Sequence, residues 1–325
     1  MKIHCFSAHS HDIPLLKEAT GDRDWTWKFD SRRLSADTAR SAGSADLVCA
    51  FVNDALTREV LDVLKTLGVR GIVLRGGGVN NVDFAAAGEL GLPVARAPFA
   101  SLEATAEHTL ALILAVSRKL IAADRQAQDH DFTLNGLLGD GLHQRIAGLI
   151  GTGQVGRRVA GILQALGCTV IACDPGLPEA ERLPGVEYLP LAALLERSDI
   201  VSLHCPLTPD TESLIGPAEI DRMRTGSILI NTSRGGLLHS GAALEGVQTG
   251  RLAGLGLDVY AGEADLFHQD WSSRPINDPT LELLVRDPRV VLTPHIGFFT
   301  RPAMESMARS TVRAIEALST GSPAG

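Results

Sequence analysis

The stretch Ile146-Ala147-Gly148-Leu149-Ile150-Gly151-Thr152-Gly153-Gln154-Val155-Gly156 runs from an apolar strand pattern into a turn of the form G-x-G-x-x-G. Beyond it, Val155, Val159, Ile162 and Leu166 repeat at helical spacing, and a second apolar run at 169–173 ends in Asp174. A glycine pattern alone is a weak signal. Placed between a strand and a helix, with a second strand and an acid after it, it reads as a dinucleotide-binding turn. Glycines let the backbone turn tightly and approach a pyrophosphate, whose charge the helix N-terminus stabilises. Asp174, 18 residues after Gly156, would accept hydrogen bonds from the adenosine ribose. Pro175 and Gly176 follow it, so no arginine stands there to take a 2′-phosphate. A merely tight strand-to-helix turn is the plainer alternative.

Outward from this stretch the alternation continues. Further strands are expected at 200–203, 228–230, 254–257 and 290–292, with helices at 155–166, 191–196, 217–223 and 241–248. Six strands with such crossovers make a doubly wound sheet. The N-terminal third offers strands at 3–7, 47–51, 72–74 and 93–97, and helices at 56–67 and 82–90, which again means a parallel sheet with helices on its faces. Between the two, Ser101 caps one long helix expected over 102–123, with Glu103 in its first turn and Arg118 and Lys119 near its end. The last helix, 302–318, is expected to fold back onto the N-terminal domain. The fold class is therefore α/β, with two doubly wound parallel-sheet domains: residues 1–100 plus 300–325, and residues 101–299.

Composition narrows the function. Of 325 residues, 45% are apolar and 21% charged, and 30 basic against 38 acidic residues leave a net charge of −8 with no basic run. That disfavours nucleic acid or an anionic membrane as partner. The uncharged apolar stretch at 109–117 is far short of the roughly 20 residues a membrane span needs. Residues 1–14 hold no apolar core of a secretory signal. Five cysteines, with no C-x-x-C, read as reduced thiols of a cytoplasmic protein, with no disulfide framework and no metal site.

Ligands of open α/β sheets sit beyond the carboxyl ends of the strands. The residues just past the expected strands include Asp174, His204, Arg234, Asp258 and His295. One alone would read as a solvated turn; five together read as the rim of an active site. Hydride reduction of a 2-keto acid builds negative charge on the carbonyl oxygen, so it needs a proton donor there and a cation on the carboxylate. Arg234 supplies a bidentate clamp and His295 a donor. A carboxylate beside His295 would orient the ring, and the loop Tyr260-Ala261-Gly262-Glu263-Ala264-Asp265 offers Glu263 or Asp265.

Several blocks in order resemble the D-2-hydroxyacid dehydrogenase family, and within it the NAD-dependent D-lactate dehydrogenases. They are residues 151–156, His204-Cys205-Pro206-Leu207-Thr208-Pro209, Ile230-Asn231-Thr232-Ser233-Arg234-Gly235, Gly256-Leu257-Asp258-Val259-Tyr260 and Thr293-Pro294-His295-Ile296. The resemblance implies a catalytic trio of Arg234, Glu263 and His295. It implies NAD held by Gly151, Gly153, Gln154, Val155, Gly156 and Asp174, and lined by His204, Cys205, Pro206, Thr211, Thr232 and Ser233. Asp258 would contact the nicotinamide carboxamide. The turn Arg75-Gly76-Gly77-Gly78-Val79-Asn80 would bind the substrate carboxylate through the N–H groups of Gly77 and Gly78, with Phe51, Ala100 and Phe298 around the substrate. A homodimer formed through the long helix is also implied.

Two departures bear on the substrate. Ala100-Ser101-Leu102 stands where relatives carry Tyr-Ser-Pro, and Val79 replaces an aromatic. With Phe51, Phe298 and Phe299 still lining it, the pocket is expected to be larger but not more polar, unless Phe99 takes the missing ring's place. The expected activity is NADH-dependent reduction of a 2-keto acid, pyruvate or a somewhat larger homologue, to the D-2-hydroxy acid. An NAD-sensing regulator on the same fold is the alternative from another class. A decarboxylating or phosphate-eliminating enzyme would need a basic cluster near Gly76–Gly78, which the sequence lacks. His9, His11, His130, His143, His239 and His268 read as surface residues, and His108 as a packed residue of the long helix.

Overall fold

The computed structural model describes residues 1–76, 78, 79, 81–97 and 101–320. Gly77, Phe99 and Ala100, each given a place at the substrate above, lie outside the described residues. The chain divides into two units, residues 1–101 with the segment from Phe299 onward, and Leu102–Phe298.

In the first unit the chain runs β1 (Lys2–Cys5), α1 (Asp12–Thr20), β2 (Thr26–Phe29), β3 (Leu47–Phe51), α2 (Arg58–Thr66), β4 (Gly71–Arg75), α3 (Phe84–Glu89) and β5 (Val94–Arg96). The parallel sheet has the order β2-β1-β3-β4-β5. β3 and β4 lie at its middle and are buried along their whole length, which is why they read as unbroken apolar runs. β2 and α1 were not expected. β2 is an edge strand with no buried residue, and α1 buries only Asp12, Leu16 and Thr20, so neither carries a strong apolar period.

The order of this sheet reverses between β1 and β3, the place where the loops of such sheets diverge. Arg75, at the end of β4 and 1% exposed, ties those loops together. Its guanidinium pairs with buried Asp12 at 2.9 Å and donates to the carbonyls of Phe6 (3.1 Å) and Ser7 (2.9 Å). It also lies 5.0 Å over the ring of Phe51. Buried Asp54 accepts from Ser7 Oγ, Leu34 N–H and Phe51 N–H, and burial pushes its carboxyl up from the ordinary carboxylate range.

The second unit opens with α4 (Leu102–Ser117) and α5 (Leu120–Gln128). It continues as β6 (Ile146–Ile150), α6 (Gln154–Ala165), β7 (Thr169–Cys173), β8 (Glu187–Tyr188), α7 (Leu191–Arg197) and β9 (Ile200–Leu203). Then come α8 (Pro217–Arg222), β10 (Ser227–Asn231), α9 (Ser240–Gln248), β11 (Leu252–Leu257), α10 (Pro279–Arg286) and β12 (Val290–Leu292). The seven-stranded parallel sheet has the order β12-β11-β10-β9-β6-β7-β8. The six expected strands are all present; β8, two residues long and half polar, is the seventh. The last helix, α11 (Arg301–Thr320), belongs to the first unit, where it packs on α1, β4 and β5.

The single helix expected over 102–123 is two helices. The Ser117 carbonyl accepts the N–H of Asp140 at 2.8 Å, and Gly139 packs so closely on Ser117 that a Cβ there would collide with its carbonyl oxygen. Lys119 then turns through a left-handed conformation, φ 51°, before α5 begins. No residue of α5 is buried, and Leu120, Phe132, Leu134 and Leu138 along and after it are exposed.

Arg75→Met should leave Asp12 buried without its partner, at a cost of about 3–5 kcal/mol. Hydrogen exchange of the β1 and β4 amides should accelerate accordingly. Adding Asp12→Leu should recover part of the protection, and an unchanged exchange rate in Arg75→Met would count against the pair.

Candidate active site

Register builds the site. Ile150 pairs with Cys173 and Leu203, Leu203 with Asn231, Asn231 with Leu257, and Leu257 with Leu292. Six strands thus end in one row. Gly151, Asp174, His204, Thr232, Asp258 and Thr293 emerge from it along a single edge of the sheet.

The glycines of the first turn have different duties. Gly151 has φ 93°, and a Cβ on it would stand 2.7 Å from the backbone of His204 and Cys205. A Cβ on Gly156 would collide with the Gly151 carbonyl, so this glycine lets α6 pack on β6. Among the described residues a Cβ on Gly153 would meet nothing within 4 Å; it opens on free space at the N-cap of α6, where none of them caps the first-turn N–H groups of Gln154 and Val155 with a side chain. An uncapped helix start with open space before it suits a pyrophosphate. Asp174 Oδ2 accepts from both the N–H (2.7 Å) and the hydroxyl (2.9 Å) of Thr152, which fixes the carboxylate beside the turn.

Across the β6–β9 boundary, where the strand order of this sheet reverses, His204 pairs through Nε2 with Ser202 Oγ at 2.9 Å. Part of its surface reaches solvent, yet burial lowers its pKa to about 4, so the ring is neutral near pH 7. Burial likewise pushes the Cys205 thiol up to about 11, and its carbonyl accepts from Ser233 Oγ. Thr232 is buried and pairs with Thr109 of α4 at 2.8 Å. The Thr211 hydroxyl serves its own loop, donating to the exposed Pro206's carbonyl and accepting from Thr208 N–H.

Arg234 follows directly. Buried Asn231 braces the turn after β10, accepting from Ser233 N–H and donating to the Arg234 carbonyl. Gly235 passes so near Tyr260 that any Cβ would collide with its backbone. The Arg234 side chain is exposed, its Nη1 on the Ser233 carbonyl, and among the described residues it has no carboxylate partner. It is a cation available to an anion.

His295 Nδ1 lies 2.7 Å from Glu263 Oε1, and Glu263 Oε2 accepts the Tyr260 N–H at 2.8 Å. Of the two acids left open by the loop, Glu263 meets the imidazole; the side chain of Asp265 lies outside the description. The His295 backbone has φ 55°, a left-handed conformation rare for a residue with a Cβ. Phe298 stands edge-on to its ring at 6.3 Å. His268, read as a surface residue, pairs through Nε2 with the Pro294 carbonyl, and His239 caps α9 by accepting the Ala242 N–H.

Asp258 is 1% exposed, and its carboxylate is engaged within the protein by Thr293, Ile296, Gly297 and His108. Of the residues assigned to substrate, Gly78 and Phe51 belong to the first unit, where Phe51 is largely buried. Sequence reasoning missed Thr152, Asn231, Thr293 and Gly297 as supports. Only Gly297, following Thr293-Pro294-His295-Ile296, had a readable signal: a glycine beside a rim residue marks a close approach.

Residues 110–297 match the NAD binding domain of the D-isomer specific 2-hydroxyacid dehydrogenases. The chain is 38% identical to the D-lactate dehydrogenase of Escherichia coli (strain K12) over 322 residues, 99% of this chain and 98% of that protein. It is 39% identical to the D-lactate dehydrogenase kk1H of Curvularia clavata, covering 99% and 94%. Among solved structures, the pyruvate reductase of Chlamydomonas reinhardtii superposes with a TM-score of 0.93 at 35% identity, covering 100% of this chain and 98% of that one.

The two glycine environments predict different defects. Gly153→Ala should leave Tm unchanged and weaken NADH binding in a fluorescence titration, because its methyl group enters open space needed by the phosphates. Gly156→Ala should lower Tm, because its methyl group meets backbone. Equal Tm losses in both would refute the distinction.

Proposed function

Because the chain belongs to the D-isomer specific 2-hydroxyacid dehydrogenase family, we propose that it reduces a short 2-keto acid with NADH to the D-2-hydroxy acid. The chain is an NAD-dependent oxidoreductase of that family. The observation that carries the reading is the 2.7 Å contact of His295 with Glu263 on the same sheet edge as Arg234, which has no carboxylate partner among the described residues.

NADH bound at the Gly151–Gly156 turn supplies the hydride. Arg234 grips the substrate carboxylate with two parallel N–H donors, which a point charge cannot imitate. His295 gives a proton from Nε2 to the carbonyl oxygen as charge develops there; Glu263 on Nδ1 holds the ring's direction and stabilises the imidazolium before transfer. Neutral His204 takes no part in proton transfer and lines the cofactor with Cys205, Pro206, Thr232 and Ser233. Asp174, held by Thr152 through one oxygen, would accept from the ribose hydroxyls with the other, which favours NADH over NADPH.

Substrate range follows from Ala100 and Val79, both smaller than the rings of the family pattern. Each extra methylene that finds apolar surface is worth about 1–3 kcal/mol. Pyruvate is therefore accepted, and 2-ketobutyrate, 2-ketoisocaproate or phenylpyruvate is used at comparable or better kcat/KM. The reading includes a homodimer made through the long helical segment 102–123; the exposed Leu120 in it, and Phe132, Leu134 and Leu138 after it, support that.

One assay series tests the chemistry. A panel of these keto acids, run with NADH and with NADPH, should show the NADH preference and the broad range, and Ala100→Tyr should tilt it toward pyruvate. His295→Ala should lower kcat by roughly 10²–10⁴ with NADH affinity unchanged. Arg234→Lys should raise KM and lower kcat. Near-native kcat in His295→Ala would overturn the mechanism, and a steep fall from pyruvate to 2-ketobutyrate that ignores Ala100→Tyr would overturn the range. Sedimentation should give a dimer, and Phe132→Asp with Leu138→Asp should give monomers; a monomeric native chain would end the dimer assignment.

A further inference from the structure

His108 sits on α4, a helix that places none of the reacting groups, yet its imidazole reaches the ends of β11 and β12. Nε2 stands 2.9 Å from Thr293 Oγ1 and 3.2 Å from Asp258 Oδ1, while the Thr293 hydroxyl donates to the same Oδ1 at 2.6 Å. Burial works to raise the Asp258 carboxyl, but the hydrogen bonds of His108, Thr293 and Ile296 N–H hold it below the ordinary carboxylate range. Asp258 is thus an enclosed anion. It accepts from what faces it, so His108 carries its proton on Nε2 and donates.

The same carboxylate also holds the turn that carries His295. Ile296 N–H reaches Oδ1 at 2.8 Å and Gly297 N–H reaches Oδ2 at 2.8 Å. Two successive N–H groups converge on one anion when the residue before them is left-handed, and His295, at φ 55°, is that residue. Its own N–H is held by the Asp258 carbonyl at 2.8 Å. A Cβ on Gly297 would stand 2.9 Å from Asp258 Oδ2 and 3.5 Å from the His108 ring, so the turn leaves no slack between them. The unusual backbone of His295, and with it the aim of Nδ1 at Glu263, is set from Asp258.

We infer that His108 is a positioning residue for His295: with Thr293 it orients the buried Asp258 carboxylate on which the 295–297 turn is wrapped. This rests on the reading of His295 as the proton donor. The role differs from simple packing of α4, because packing needs the ring's volume and positioning needs its Nε2–H.

The test separates the two. His108→Leu keeps bulk and loses the donor; His108→Gln keeps an N–H at about the reach of Nε2. With pyruvate and NADH, His108→Leu should lower kcat by about 10–100-fold, since misplacing a reacting group by an ångström costs up to about 10². NADH affinity should not change, and His108→Gln should restore most of the rate. In a His295→Ala background, His108→Leu should cost nothing further, because its effect passes through the missing imidazole. Thr293→Val, which removes the second donor, should lower kcat in the same way and serves if His108→Leu does not fold. Native kcat in His108→Leu or Thr293→Val, an additional loss on top of His295→Ala, or a rate loss explained by weaker NADH binding would each overturn the inference. If His295→Ala itself kept its rate, the proton-donor reading would fall; if only the His108 variants kept theirs, this inference alone would fall.

Discussion

The row of paired residues at the carboxyl edge of the second sheet governs everything functional in that unit. Parallel strands put all their C-termini on one side, and a common register puts them at one height. Asp174, His204, Asp258 and Thr293 are far apart in the chain, yet each is the first residue beyond that row, while Arg234 and His295 come two residues later. A slip of one residue in any pairing would exchange a strand's side chains between its two covered faces and withdraw its contribution to the edge. The apolar core beneath, in which Leu203, Leu229 and Leu255 are completely buried, is what forbids the slip.

Beyond that row the chain repeatedly replaces side chains by close backbone approach. Gly151, Gly156, Gly235 and Gly297 each lie where a Cβ would meet backbone or a buried carboxylate. Gly153 is the opposite case, open where a ligand would stand. Two buried charges are held differently: both oxygens of Asp258 accept backbone N–H groups, while Arg75 pairs with Asp12 and two backbone carbonyls but has no hydrogen-bond partner at Nε among the described residues. In the first unit Arg75 and Asp54 together hold the chain after β1 and β3; in the second Asp258 holds the turn after β12.

The strands that read most plainly in the sequence are the ones buried on both faces. β3, β4, β6, β7 and β9 are continuous apolar runs because helices cover both sides of them. Sequence reading missed β2, whose residues are only half covered, and β8, too short to show a period. It joined α4 to α5, since nothing local in Ser117-Arg118-Lys119 forbids a helix; the break comes from Asp140 and Gly139, more than twenty residues on. His268, read as a surface residue, and His108, read as a packed residue of the long helix, have partners 26 and 150 or more residues away, which no local pattern shows.

By itself the sequence determined which chemistry the chain can host: a glycine turn between strand and helix, an acid after the next strand, and an arginine and a histidine just past strand ends are local patterns with local physical causes. It left the oriented carboxylate open between Glu263 and Asp265, because two residues of spacing in a loop do not say which side chain faces a ring. Only the tertiary structure decided that Glu263 meets His295, that Asp258 is enclosed rather than open, and that α4 reaches across to brace it. Those are matters of which surfaces meet, and contacts between residues 108, 258 and 293 arise when a helix is packed onto a sheet, not when either is formed.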